Sequence, residues 1–269
     1  MSFVPDAQSR WFCLKSQEDA LTSLTYETAL IRYLPTIHDL ATQPAEHKII
    51  HAYPIQKATV LLGAKDTRLP NYKEARQFLQ AQNYQVLVRP HGGLGIVCDP
   101  GIVNLSLIQD SRYQNLNIDQ AYQQFVELIQ YIFEDYPLRI EAYEMANSYC
   151  PGKYDLIIQN KKIGGLAQRR FRNGVTTAAY LSLNGDQEGR GQLMKAFYQR
   201  GQADTSYPNV DPHSMANLSD FLAEEFTLAD FNRLLQDKIV FAKESILAIE
   251  ADSWQDALSQ AQKQLHPSS

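Results

Sequence analysis

Apolar residues recur along the chain with two spacings, and each spacing predicts a different kind of element. Spacings of three and four residues, which place side chains on one face of a helix, are clearest over residues 118–136. The apolar positions of that segment are Ala121, Phe125, Leu128, Ile129 and Ile132. Further helices are predicted at 18–34, 71–82, 187–202, 218–221, 227–241 and 254–264.

Short apolar runs bounded by proline, glycine or asparagine predict strands between these helices. The predicted strands are 48–55, 58–63, 84–89, 95–98, 103–109, 139–143, 154–159, 162–170 and 175–183. Because hairpins and helices do not alternate regularly, the pattern indicates an α+β fold of mixed, largely antiparallel sheets flanked by helices. No repeat or Ser/Gly-rich linker divides the sequence, so residues 1–269 are predicted to form a single domain, with a C-terminal helical part (about 204–269) packed on it.

The charge balance argues against two classes of partner. The 269 residues include 30 acidic and 25 basic ones, for a formal net charge of −5. Sequence-independent binding to nucleic acids or anionic membranes depends on a basic surface, so neither partner is expected. No run approaches the roughly 18 apolar residues of a membrane helix, and the first residues lack the basic and apolar segments of a signal peptide. The sequence therefore predicts a cytoplasmic protein.

A glycine-rich segment, Arg89-Pro-His-Gly-Gly-Leu-Gly95, is the first candidate for a functional loop. Phosphate-binding glycine loops lead into a helix, whereas the residues that follow here are predicted to form a strand. The dinucleotide-binding and P-loop interpretations are therefore excluded. Two alternatives remain: the glycines let the backbone approach a ligand, or they form a tight hairpin bend.

Three cysteines, Cys13, Cys98 and Cys150, are too few and too widely spaced for a disulfide scaffold or a Cys-x-x-Cys pair. Cys150 lies in Asn147-Ser-Tyr-Cys-Pro-Gly-Lys-Tyr154, where proline and glycine suit the central positions of a type II turn. Such a turn would hold the thiol at a strand end, where a nucleophile is reachable. The alternative is a half-buried structural cysteine, which is the interpretation that we favour for Cys98, inside an apolar strand.

Two lysines, Lys161 and Lys162, precede Gly164 and Gly165 at the start of a predicted strand. One ammonium group there could face a carbonyl or carboxyl group in a cleft, and the alternative is a solvated hairpin with Lys161 on the outside. Downstream, Arg169, Arg170 and Arg172 surround Phe171, as in a docking strip for an acidic partner or an ordinary charged edge strand.

The histidines do not predict a metal site. His47 and His51 are four residues apart, the spacing of a metal pair on a helix, but residues 48–55 are predicted to be a strand and no glutamate follows His47 as in His-Glu-x-x-His.

Taken together, these segments resemble the lipoate-protein ligase A / octanoyltransferase family, whose fold is shared by biotin-protein ligases. The family's Arg-x-Ser-Gly-Gly loop and the strand after it are similar to Arg89–Gly95 and Gly101-Ile-Val-Asn-Leu-Ser106, and its lysine before a small-residue pair is similar to Lys162-Ile-Gly-Gly165. Tyr149-Cys-Pro-Gly-Lys-Tyr-Asp-Leu156 is similar to the cysteine segment of the octanoyl-[glycine-cleavage H protein]:protein octanoyltransferases. His91 stands where many members carry serine.

The resemblance implies acyl transfer through a thioester. Cys150 would attack an octanoyl or lipoyl amide on a donor H protein, and a lysine of a lipoyl domain in a 2-oxoacid dehydrogenase would then take the acyl group. Lys162 would hydrogen-bond the acyl carbonyl and stabilise its oxyanion. The implied substrate-binding residues are Arg89, His91, Gly92, Gly93, Gly164 and Gly165, with the Gly92-Gly93 backbone lining an apolar tunnel. No cofactor is required, because one lysine amide is exchanged for another.

Three alternative functions remain open. A lipoate ligase would need ATP and Mg²⁺ but not Cys150, and an octanoyltransferase of another branch would use acyl carrier protein as donor. A non-catalytic carrier-binding module would form no acyl-enzyme. The cysteine segment, and the expectation that the chain lacks the C-terminal accessory domain of ATP-using ligases, favour the transferase.

Overall fold

The helices and strands largely follow the predicted pattern. The computed structural model describes residues 9–15, 19–37, 46–112 and 116–265. The α-helices of this part are α1 (Ala20–Tyr33), α2 (Tyr72–Ala81), α3 (Ile118–Ile132), α4 (Gln187–Arg200), α5 (Leu228–Lys238) and α6 (Ala251–Leu265). The helix predicted at 218–221 is a short 3₁₀ helix, Leu218–Phe221. The strands of this part are β1 (Ser9–Lys15), β2 (Glu46–Pro54), β3 (Thr59–Leu62), β4 (Gln85–Val88), β5 (Ile96–Cys98), β6 (Ile102–Asp110), β7 (Glu141–Ala142), β8 (Leu156–Ile158), β9 (Lys161–Phe171) and β10 (Gly174–Ser182).

The strands form two sheets, and the prediction of a mixed, largely antiparallel α+β fold is confirmed. The larger sheet has the order β1-β2-β6-β10-β9-β8-β7, and the smaller has the order β4-β3-β5. Strands β1 and β2 pair in parallel, as do β3 and β4, and the remaining pairs are antiparallel. Two-residue turns join β8 to β9 and β9 to β10, whereas all three strands of the smaller sheet lie between β2 and β6 in the sequence.

The larger sheet is covered on both faces, which explains why β6 is buried along its whole length. Alternate residues of a strand point to opposite faces. Val103, Leu105 and Leu107 therefore pack with α3 and α5, whereas Ile108 packs with α1 and α6. The smaller sheet packs against α2 and α4 in a third cluster, which also holds Cys150.

The helix ends have local causes. Asp19 caps α1 by accepting hydrogen bonds from the N–H groups of Leu21 and Thr22, so that helix begins two residues after the predicted start. Asn117 and Gln120 form a capping box at the start of α3. None of the helices in the described residues is long and apolar enough to cross a membrane.

Three sequence predictions of secondary structure need correction. Strand β1 was not predicted, because it is held by its parallel pairing with β2 rather than by turn signals of its own. The predicted helix at 227–241 ends at Lys238, since the chain then turns to pair Phe241 with Trp11 of β1. The predicted strand at 139–143 shrinks to the two residues of β7. The first eight residues, to which the signal-peptide argument applied, lie outside the described part.

Candidate active site

The 89–94 loop joins β4 to β5 and lies against the segment that carries Cys150. Gly93 has a φ of +89°, and a Cβ there would lie 2.9 Å from Arg89 Nη2 and 3.4 Å from Cys150 Sγ. From the other side, a Cβ on Gly63 would lie 1.9 Å from the Gly93 carbonyl oxygen. Glycine at these two positions therefore allows the loop to pack between β3 and the cysteine.

Cys150 is buried, with 8% of its surface exposed, and its sulfur contacts the loop directly. The Leu94 N–H donates to Sγ at 3.3 Å, and the thiol can donate to the Leu94 carbonyl oxygen at 3.4 Å. Arg89 Nη2 lies 3.8 Å from Sγ and also donates to the Leu94 carbonyl at 2.8 Å. The thiolate is the reactive form of cysteine, and these two N–H donors are placed to hydrogen-bond it.

The prediction of a type II turn directly after Cys150 is wrong. Such a turn needs a positive φ at its second central residue, and the glycines with positive φ in the described residues are Gly93, Gly101 and Gly185. The chain instead turns after Gly152, where the Asp155 N–H donates to the Gly152 carbonyl at 3.1 Å. The thiol is therefore held in a packed cluster rather than presented on an exposed turn.

Lys162 lies at the start of β9, with its ammonium group buried among three acceptors. Nζ donates to Ser148 Oγ at 3.0 Å and to the Cys150 carbonyl oxygen, and it lies 2.9 Å from Asp155 Oδ1. The three N–H groups of the Lys162 ammonium thus face three protein acceptors. Because one acceptor is the Cys150 carbonyl oxygen, the ammonium group holds the backbone of the cysteine in place. The oxyanion role expected for Lys162 stays a prediction. The sulfur itself is contacted by donors from the 89–94 loop.

Gly164 and Gly165 make room for this lysine and for a neighbouring tyrosine. A Cβ on Gly164 would lie 2.5 Å from the Tyr180 carbonyl oxygen, and one on Gly165 would lie 3.2 Å from Lys162 Cε and Nζ. Lys161, the preceding residue, points elsewhere, and its Nζ contacts the His213 carbonyl oxygen. The two lysines therefore occupy different surroundings, as strand alternation requires.

Asp155 is a site residue that the sequence analysis missed. Its carboxylate is 1% exposed, faces Lys162, and accepts the N–H groups of Met145 and Gly152 at 3.1 Å each. Burial raises the pKa of Asp155, and the Lys162 charge and the hydrogen bonds offset this only in part. Asp155 lies within the cysteine motif, but nothing in the local sequence pattern indicated that its carboxylate would pair with Lys162.

Glu27 of α1 is a second missed residue. It lies 3.3 Å from His91 Nε2, and both side chains are almost fully buried. Its carboxylate also accepts hydrogen bonds from Ser106 Oγ and, at 3.1 Å, from Tyr53 OH. His91 is thus tied to the helix and the larger sheet.

A narrow cavity of about 20 Å³ opens beside these groups. Its lining residues are Leu24, Tyr53, Leu61, Arg89, His91, Ile96, Asn104, Gly165, Ala178, Ala179 and Tyr180. Three of the predicted substrate-binding residues, Arg89, His91 and Gly165, are brought together here, whereas Gly92 and Gly93 lie on the exposed side of their loop. The volume suits about one water molecule, so an eight-carbon chain would require neighbouring side chains to move.

Asp66 lies beside Gly95, the residue that follows the 89–94 loop, since a Cβ on Gly95 would lie 3.5 Å from Asp66 Oδ2. Its carboxylate accepts the Gly63 N–H at 2.7 Å and the Tyr198 hydroxyl at 3.2 Å. Burial raises the pKa of Asp66 to about 6, although these hydrogen bonds oppose the shift. The pKa of His51 is shifted in the opposite direction. Burial lowers it to about 4, although the negative charge of Glu27 partly opposes this shift.

We expect Asp66→Asn to make the free energy of unfolding more sensitive to acid. Between pH 6.5 and 4 the unfolded chain binds a proton that folded His51 does not, so stability falls as the pH falls. Between pH 6 and 3.8 folded Asp66 binds a proton that the unfolded chain does not, so stability rises as the pH falls. The asparagine removes the second effect, which between pH 7 and pH 4.5 covers about 1.5 pKa units and corresponds to about 2 kcal/mol.

Urea unfolding at pH 4.5 and pH 7 measures this difference, and Asp256→Asn on the exposed face of α6 is the control. Equal pH dependence in the wild type and Asp66→Asn would contradict the assignment.

The arginines around Phe171 and the two histidines four residues apart are the other candidates that the sequence predicted. Arg169 is partly buried and donates to Thr28 Oγ1 at 2.8 Å and to Gln264 Oε1 at 3.2 Å, which ties β9 to α1 and α6. Arg170 is exposed, and Arg172 lies over the Phe171 ring. His47 and His51 lie on β2, as predicted for a strand. In the described ranges, no group of three or more histidine, cysteine, aspartate or glutamate side chains is arranged to hold a metal ion.

Comparison with known proteins places these residues in one family. Residues 19–240 match the lipoyl protein ligase A/B catalytic domain. The chain is 37% identical over 196 residues to the octanoyl-[GcvH]:protein N-octanoyltransferase of Oceanobacillus iheyensis, covering 71% of this chain and 68% of that protein. It is 41% identical over 178 residues to the protein of the same name from Geobacillus kaustophilus, covering 65% of this chain and 63% of that protein. It is 39% identical over 178 residues to the lipoyl-[GcvH]:protein N-lipoyltransferase of Listeria monocytogenes, covering 65% of this chain and 64% of that protein.

Solved structures with the same fold are lipoate-protein ligases. A lipoate-protein ligase A bound with ATP superposes with a TM-score of 0.66 at 16% identity, covering 94% of each chain. A bipartite lipoate protein ligase from Thermoplasma acidophilum superposes with a TM-score of 0.63 at 15% identity, covering 94% of this chain and 92% of that one. At these identities the likeness shows the fold alone. It agrees with the fold that the sequence resemblance implied.

Proposed function

The chain belongs to the lipoyl protein ligase A/B catalytic domain family, and we propose that it is an acyltransferase that moves octanoyl or lipoyl groups from the glycine-cleavage H protein to lysines of lipoyl domains. Relatives at 37–41% identity are named as octanoyl or lipoyl transferases with this donor. The alignments span 63–68% of the lengths of these relatives, so the whole activity is a proposal for this chain. The cytoplasmic location expected from the sequence stays a prediction.

The observation that carries the chemical proposal is the position of the Cys150 sulfur. It lies against the Leu94 N–H and Arg89, beside the cavity that Arg89, His91 and Gly165 line. Backbone and guanidinium donors beside the sulfur are placed to hydrogen-bond the thiolate, which is the form of cysteine that attacks a carbonyl carbon. This arrangement suits transfer through a covalent intermediate.

The reaction would proceed in two balanced steps. Cys150 Sγ attacks the amide carbonyl on the donor lysine, a C–S bond forms, the C–N bond breaks, and the donor amine leaves with the proton of the thiol. The acceptor lysine, as the free amine, then attacks the thioester carbonyl, a new C–N bond forms, the C–S bond breaks, and a proton of that amine returns to the sulfur of Cys150. One amide is made for each amide broken, so no nucleotide is consumed.

We expect transfer to be independent of ATP. Purified enzyme, treated with apyrase, should move octanoyl from an octanoylated H protein to a lipoyl domain at the same rate as with ATP and Mg²⁺. Intact mass spectrometry of the enzyme after mixing with donor alone should detect one octanoyl adduct.

Three results would select the alternatives. Attachment of free octanoate only when ATP is added would support the ligase. Transfer from octanoyl-acyl carrier protein but not from the H protein would change the donor. Binding of the lipoyl domain without an adduct or product would support the carrier-binding module.

A further inference from the structure

We propose that Glu27 and His91 are positioning residues for acyl transfer, because together they hold the 89–94 loop and its two donors against Cys150. The inference rests on the proposed function, which it deepens by adding residues that act through others. Glu27 belongs to α1 and His91 to the loop, 64 positions apart in the sequence. No motif in the sequence connects them.

The Glu27–His91 pair is buried inside the protein. His91 Nε2 lies 3.3 Å from Glu27 Oε1, and the two side chains are 3% and 2% exposed. The same carboxylate accepts hydrogen bonds from Ser106 of β6 and Tyr53 of β2. Glu27 therefore connects the loop to one helix and two strands of the larger sheet. Fixed groups on three elements constrain His91 more than solvent contacts would.

The carboxylate is the charged partner at the centre of this cluster. Burial by itself would raise the pKa of Glu27, but His91, His51 and the Ser106 hydrogen bond lower it to about 2. The groups that face it are His91 from the loop, His51 and Tyr53 from β2, and Ser106 from β6, and Arg169 of β9 adds a further positive charge. Because Glu27 stays ionised at neutral pH, its neutral isostere glutamine tests the charge while keeping the shape.

The connection from His91 to the sulfur is short. Arg89 precedes His91 by two positions and Leu94 follows it by three, and these are the residues that contact Cys150 Sγ at 3.8 and 3.3 Å. Arg89 also donates to the Leu94 carbonyl at 2.8 Å, and this hydrogen bond connects the first and last residues of the loop. A displacement of His91 would therefore move both donors together. A misplacement of about 1 Å at a reacting group can cost about 10²-fold in rate.

The test uses Glu27→Gln, His91→Asn and the double variant in the full-length protein. Single-turnover formation of acyl-Cys150 from octanoylated H protein should slow by about 10- to 100-fold in each single variant. The double variant should be no slower than the slower single one, because the two residues act as a unit. Thr25→Val, which removes the hydrogen bond from a buried hydroxyl of α1 to the Leu21 carbonyl, is the matched control and should keep the wild-type rate.

Alkylation of Cys150 by iodoacetamide, followed by peptide mass spectrometry, tests the positioning without any donor protein. With the two donors displaced, the pH midpoint of alkylation should rise by about half a unit or more in both single variants and not in Thr25→Val. This assay separates the two proposals. If the wild type forms no acyl-enzyme but the midpoint shifts, the positioning holds and the proposed function fails.

Two outcomes would overturn the inference. One is that the single variants keep the alkylation midpoint of the wild type and that their acylation rates fall no further than the fraction of unfolded protein accounts for. The other is rate losses of Glu27→Gln and His91→Asn that multiply in the double variant. If Glu27→Gln does not fold, His91→Asn carries the same test, since it leaves the carboxylate with its Ser106 and Tyr53 partners.

Discussion

Replacement of Cys150 by alanine is expected to reduce acyl transfer by at least about 10⁴-fold, since the proposed acyl-enzyme cannot form without the sulfur nucleophile. The protein should remain folded, because a single small buried side chain is shortened by one atom, at a cost of about 1 kcal/mol in the free energy of unfolding. Single-turnover transfer and intact mass with octanoylated H protein measure the loss. No acyl adduct should form on the variant.

Cys98→Ala is the matched control for this prediction. Cys98 is fully buried in β5 and lies 3.7 Å from Asn104 Oδ1, and burial raises the pKa of its thiol to about 12. A thiol in that state is a poor nucleophile. The variant should therefore transfer acyl groups normally, with a modest loss of stability. An inactive, folded Cys98→Ala together with an active Cys150→Ala would assign the nucleophile to the other cysteine.

The second large effect is expected at Lys162. Lys162→Ala should slow both formation and breakdown of acyl-Cys150 by about 10²- to 10³-fold, if the ammonium donates to the oxyanion in each step. It should also lower the free energy of unfolding by about 3–5 kcal/mol, because Asp155 is left as a buried, unpaired carboxylate. Lys162→Arg should rescue poorly, since a planar guanidinium does not fit the space of a compact ammonium among three acceptors.

A double variant separates the two effects. In Lys162→Met with Asp155→Asn, the unpaired charge is gone, so most of the stability should return while the rate stays low. Lys161→Ala, whose Nζ contacts the His213 carbonyl instead, should behave nearly as the wild type in single-turnover assays. Equal losses at both lysines would indicate a general basic docking surface. Recovery of the rate in the double variant would leave Lys162 with a structural role alone.

The secondary structure and the family were predictable from the sequence because both are encoded locally. The spacing of Phe125, Ile129 and Ile132 determined the buried face of α3, and the alternation in β6 determined which residues face each side of the sheet. The cysteine, lysine and glycine segments were each readable as short motifs, and their combination identified the family that the comparison confirms.

The surroundings of the candidate nucleophile were decided by the tertiary structure. The Leu94 N–H reaches Cys150 across 56 positions, and Ser106 reaches Glu27 across 79, so no local pattern could reveal either contact. Packing against the smaller sheet buried Cys150, where a local turn rule predicted an exposed thiol. Strand β1 likewise depends on its partner β2. The sequence by itself determined which residues are candidates for the chemistry, whereas their charge partners and burial depend on chain segments that meet only when the sheets and helices pack.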